Sequence, residues 1–114
     1  MVTDADVQKR KSAEYSLRRV IELAGLSSIR FASTKVQNAI ANLDYGLDDV
    51  CNCLSNLTEA NFINAVKYPD SRRWLDVYRI QWQLPGKDYD DIYIKLSLDN
   101  DCLVIELRSF HLSR

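Results

Sequence analysis

Four side chains in the C-terminal half, Tyr93, Lys95, Arg108 and His111, are of types that bind phosphate and move protons. Ammonium and guanidinium groups sit on phosphate oxygens, and the planar guanidinium does so bidentately. A tyrosine ring stacks on a nucleobase or donates its hydroxyl to a phosphate. His111 is the single histidine of the chain, and imidazole is the side chain whose ordinary pKa lies nearest neutrality, which suits general acid or base work. Lys67, Arg72, Arg73, Arg79 and Gln81 could add contacts to a nucleic-acid backbone. Ordinary alternatives stand beside each assignment. Lys95 also reads as a strand-face solubiliser, Arg108 as a partner of Glu106 or Asp91, and Tyr93 as a cap on the sheet edge. The basic residues before the first strand also read as a solvated loop.

These residues share a surface only if the strands that carry them face the right way. Ile92, Ile94, Leu96 and Leu98 alternate with Asp91, Tyr93, Lys95 and Ser97, the period of a half-buried strand. With the isoleucines and leucines inward, Tyr93, Lys95 and Ser97 face out. Cys102 to Phe110 reads as the last strand after the Asp99-Asn100-Asp101 turn, with Leu103, Ile105 and Leu107 inward and Glu106 and Arg108 outward. Trp74, Tyr78, Ile80 and Trp82 form the apolar set of the first strand, leaving Arg79, Gln81 and Gln83 outward. Strict alternation puts His111 on the Leu107 side. It reaches the polar face only if the chain bulges or the strand ends by Phe110.

The first half has helical period. Leu17, Val20, Ile21 and Ala24 mark a helix ending near Gly25, and Val36, Ala39, Ile40 and Leu43 mark a second, capped by Ser33 or Thr34. Asp48 is expected to cap a third with Val50, Cys53, Leu54 and Leu57 inward, and Thr58 a short fourth with Phe62, Ile63 and Val66. The expected fold class is α+β, with N-terminal helices packed on one face of a C-terminal three-stranded antiparallel sheet. A single domain over 1–114 is expected: a frayed extension at 1–12, a helical half at 13–67 and the sheet at 72–111.

Composition limits the rest. Of the 114 residues, 46% are hydrophobic and 27% charged, a globular balance that excludes a disordered chain. Residues 1–36 carry seven basic against four acidic side chains, residues 37–66 none against four, and residues 67–114 eight against eight. A net charge of −1 therefore leaves any polyanion contact to local patches. No apolar stretch is long enough to span a membrane and no secretory signal is seen, so a cytoplasmic location is expected. Cys51, Cys53 and Cys102 have no disulfide-framework spacing, and neither cofactor nor metal site is expected.

Several ordered segments resemble the MqsR-type toxins. Gly46-Leu47-Asp48, Cys51-Asn52, Leu57-Thr58-Glu59 and Phe62 resemble the middle of that family. Trp74-Leu75-Asp76-Val77-Tyr78 is similar to its W-Q-D-V-Y segment, Tyr93-Ile94-Lys95-Leu96 to its Y-L-K-I strand, and Ser109-Phe110-His111 to its closing S-F-K. The likeness covers roughly residues 14–114. It implies a RelE-like fold and a metal-independent endoribonuclease, the toxin of a type II toxin–antitoxin pair. The partners implied are mRNA and a cognate antitoxin, a DNA-binding and in this family often zinc-bearing protein. Asn64, Leu75 and His111 depart from the family's lysine, glutamine and closing lysine. These departures leave a second reading, a catalytically weakened RNA- or protein-binding module of the same fold.

Overall fold

The computed structural model describes residues 6–113. Three helices lie on one face of a sheet. Ser16 opens α1 (Leu17–Gly25), its hydroxyl accepting from the Arg19 backbone N–H at 3.3 Å. Ser33 opens α2 (Thr34–Asn42) in the same way through Val36, at 3.4 Å. In α3 (Leu47–Ser55) the cap is Gly46 rather than Asp48. The Asp49 carboxylate accepts from the Gly46 N–H at 2.7 Å, and both acids sit in the first turn, where the helix dipole favours them.

The strands are β1 (Gln8–Arg10), β2 (Ile29–Phe31), β3 (Phe62–Lys67), β4 (Leu75–Gln83), β5 (Tyr89–Asp99) and β6 (Val104–Leu112). They form one six-stranded sheet in the order β1-β3-β4-β5-β6-β2, with only the β2–β6 pair parallel. The α+β class holds, but the sheet has six strands where three were expected. The meander β4-β5-β6 is its centre. The part of the N-terminal extension within the described residues is not frayed, because Gln8–Arg10 pairs with Ala65–Lys67.

The expected fourth helix is instead one 3-10 turn, Glu59–Asn61, followed by β3. Phe62, Ile63 and Val66 fit a helical face, yet Asn61 ends the turn at once. Its side-chain oxygen accepts from the Thr58 N–H at 2.8 Å, and its amide donates to the Arg79 carbonyl at 3.1 Å. That bond delivers Phe62 opposite Tyr78 and starts the ladder.

Val20, Leu23, Val36, Ile40, Val50 and Leu54 of the helices close over Tyr78, Ile94, Leu96, Ile105, Leu107 and Phe110 of the sheet. Each such large side chain, fully buried, contributes about 1.5–3 kcal/mol. Tyr45 meets Phe110 edge-on at 5.7 Å and donates its hydroxyl to Asp90 at 2.8 Å. Asn100, Asp101 and Cys102 all have positive φ, at 53°, 55° and 64°. The turn therefore takes in Cys102, and Leu103 is left 61% exposed instead of joining Ile105 and Leu107 inside.

Asp76, fully buried on β4, ties the chain ahead of α1 to the sheet. Its two oxygens accept from the Glu14 and Tyr15 N–H groups at 2.9 Å each. Burial raises its carboxyl pKa, and the two amides partly offset that. Tyr15 donates its hydroxyl to the Trp74 carbonyl at 2.8 Å. Trp74 itself precedes β4, with the Arg10 guanidinium 4.2 Å over its ring. Trp82 packs against the core as expected. Asp76→Ala removes the acceptor of two part-buried amides and should cost about 1–3 kcal/mol in urea unfolding. Asp76→Asn, which keeps one acceptor oxygen, should cost less; an alanine variant as stable as the parent would remove this tie from the account.

Candidate functional site

The face of the sheet away from the helices carries the candidate residues, and one irregularity arranges them. From the free end of β6, His111 pairs with Tyr93, Phe110 with Ile94 and Ser109 with Lys95; Leu107 then pairs with Leu96. Arg108 is left over as a β-bulge, one extra residue that reverses the parity of the strand beyond it. Ile105 and Leu107 point into the core before the bulge and Phe110 after it, all with no exposed surface. His111 consequently turns to the open face. Its ring stacks on Tyr93 with centroids 5.2 Å apart and planes 19° from parallel. His111 Nδ1 lies 2.8 Å from the Leu112 carbonyl. A carbonyl only accepts, so Nδ1 carries the proton in this contact and the neutral ring keeps Nε2 as a free lone pair.

Lys95, half-buried, points along the same face. Its ammonium donates to the Tyr68 hydroxyl and lies 4.8 Å and 5.8 Å from the ring centres of Tyr68 and Tyr93. No ion pair to Lys95 is found among the described residues. Two phenols thus hold the cation without neutralising it. Tyr68 is not singled out by the sequence, because reading 62–66 as helix hides the alternation that puts Val66 and Tyr68 on one face. Once β3 is a strand, the position is plain.

Arg108 sits at the rim, exposed, with Nη2 3.0 Å from Glu106 Oε1. It belongs to a chain of charges. Glu106 also accepts from Arg30 at 2.9 Å, and the nearly buried Asp99 accepts from Arg30 and Arg73 at 2.5 Å each and from the Ser97 hydroxyl at 3.2 Å. Three guanidiniums against two carboxylates leave this rim net positive. Tyr68, Asp70, Ser71, Leu75, Lys95, Arg108 and Ser109 line a shallow depression beside it, so one carboxylate stands there with two cations.

The remaining candidates divide. Arg73 is committed to Asp99 and to the Leu98 carbonyl, at 3.2 Å. Arg79 meets Asp91 through Nε, at 2.9 Å and 3.1 Å from the two oxygens, and through Nη2. That guanidinium holds the Asp91 carboxyl below the usual carboxylate range, so the pair stays formed at neutral pH and a phosphate would have to displace it. Gln81 is exposed opposite Asp91. Arg72 is exposed in the loop before β4. Lys67 comes after Val66 with opposite parity and belongs to the helical side. Asn64 and Leu75 do stand on the open face, where Leu75 is buried with Val66 and Val77 in a small second cluster. Ser97, expected outward, is on that face but fully covered.

A stacked imidazole with a free nitrogen, an unneutralised ammonium, and a guanidinium on a net-positive rim can bind a phosphodiester and move its protons. Among the described residues no helix is long and apolar enough to cross a membrane. Comparison with curated proteins finds no match. Comparison with family models matches residues 12–111 to the MqsR toxin family, described as "Motility quorum-sensing regulator, toxin of MqsA". That stretch spans the helices, the meander and the whole stacked site, and the chain belongs to the MqsR toxin family.

Proposed function

We propose that the open sheet face is the site of a metal-independent endoribonuclease that cleaves single-stranded mRNA in the cytoplasm. The observation that carries this reading is the His111–Tyr93 stack beside Lys95, produced by the bulge at Arg108. In the reaction a ribose 2′-hydroxyl attacks the neighbouring phosphorus, forming the new O–P bond as the bond to the 5′-oxygen breaks. His111 Nε2 takes the 2′-proton. Lys95 and Arg108 offset the extra charge on the phosphoryl oxygens, and the Tyr93 hydroxyl donates to the phosphate. The leaving 5′-oxygen takes a proton from the imidazolium or from water, leaving a cyclic 2′,3′-phosphate. Lys67, Arg72, Arg73, Arg79 and Gln81 are peripheral in this reading. Arg73 and Arg79 are ion-paired, Arg79 although it stands opposite Tyr93. Lys67 turns to the helical side, Arg72 lies in the loop before β4, and Gln81 faces Asp91.

The partner is a cognate antitoxin, as the family description's "toxin of MqsA" supports; by the resemblance it is a DNA-binding and often zinc-bearing protein, which covers this face or restrains access to it. A second reading, a binding module that has lost its chemistry, is favoured by one specific observation: Asn64 and Leu75 occupy open-face positions, at which the resemblance implies lysine and glutamine. Incubation with a long mRNA separates them, because a module shifts the RNA without shortening it. In single-turnover cleavage His111→Ala should lose about 100-fold or more, and Lys95→Ala a comparable factor. The triple variant with Arg108→Ala should neither cleave RNA nor arrest growth when induced. A triple variant as active as the parent would refute the site.

A further inference from the structure

The family match begins at residue 12, yet the sheet begins earlier, with β1. Lys9 pairs with Val66, and Val66 with Leu75 on the open face, so alternation turns Lys9 to that face. Two anchors fix it there. Val7, of the same parity, packs on Val66, Leu75 and Val77; Arg10, of the opposite parity, stacks on Trp74 and pairs with Glu14. Lys9 remains exposed, with no ion pair among the described residues. It lines a depression together with Ile63, Asn64, Tyr68 and Tyr93, and no carboxylate is among the lining residues described. Tyr93 is the ring on which His111 stacks, so this depression continues directly from the site described above.

Resting on the RNA reading, we infer that β1 is a substrate-binding strand that extends the site. Lys9 takes a backbone phosphate of single-stranded RNA, and the Asn64 amide and the Tyr93 edge border the nucleotide beside it. β1 and β5 are three strand spacings apart, about 14 Å at roughly 4.8 Å each. Lys9 therefore meets a different phosphate from the one at Lys95. Among the described residues the hollow is bordered by a cation, an amide and two phenols, which suits a phosphodiester and a base edge better than an acidic peptide.

The test is fluorescence anisotropy of a 2′-O-methyl single-stranded oligonucleotide, which cannot be cleaved, across a salt series. Loss of one phosphate contact flattens the dependence of log K on log salt by about 0.7. Lys9→Gln should show that loss and weaker binding at low salt, Lys9→Arg should retain the parent slope, and Lys11→Gln, one residue past the strand, should leave the slope unchanged. A parent that binds while Lys9→Gln keeps its slope overturns this inference alone. Equal losses in Lys9→Gln and Lys11→Gln also overturn it, because they describe a diffuse basic segment. A parent that does not bind at low salt overturns both this inference and the RNA reading beneath it.

Discussion

The extra residue at Arg108 is the constraint on which the rest of the site depends. Without it, β6 would alternate strictly from Ile105 onward, and the parity that buries Leu107 would carry His111 toward the helices. With it, Phe110 takes the inward position against Tyr45, and Ser109 and His111 fall beside Lys95 and Tyr93. Burial of Phe110 is what makes the arrangement firm. An aromatic ring of that size with no exposed surface holds the register after the bulge, since a slip by one residue would expose it and bury an imidazole in its place. A core contact on one side of the sheet thereby orients the chemistry on the other.

Charge on the open face is arranged by the same economy of partners. Asp99 and Glu106 gather Arg30, Arg73 and Arg108 along the β2–β6 end, and Asp91 takes Arg79, which stands opposite Tyr93 on β4. Between these ion pairs Lys95 is held by phenols alone. A cation without an ion pair among the described residues thus lies on this face, although the chain as a whole is slightly acidic. Phenol rings hold a cation without cancelling its charge, which is the property a phosphate-binding ammonium needs.

Much of this was legible in the residues. The alternation through Ile92–Leu98 places Tyr93 and Lys95 on one face, and Ser33 ahead of α2 marks where that helix starts. Other features lie below what pattern can carry. β1 and β2 are three residues each, too short for periodicity, and each exists because a longer neighbour offers its edge. Phe62, Ile63 and Val66 suit a helix as well as a strand, and the choice is made by Asn61 bonding to Arg79, eighteen residues away in sequence. The bulge has no glycine to announce it. Its position is set by tertiary packing of Leu107 and Phe110, so His111 could be placed only conditionally, and Tyr68 and Lys9 were hidden behind the missed strands. The acidic stretch 37–66 has a local explanation in part, since Asp48 and Asp49 stand at the start of α3.

The central claim is that the bulged side of the sheet, and not the helical side, receives RNA. Two-dimensional NMR of the protein titrated with an uncleavable single-stranded RNA tests it most directly. The account predicts that shift changes concentrate at the His111 and Tyr93 ring signals and at the amides of Lys95, Arg108 and Ser109, while α1 and α3 stay still. Changes centred on the helices, with the His111 and Tyr93 rings unmoved at saturation, would contradict it.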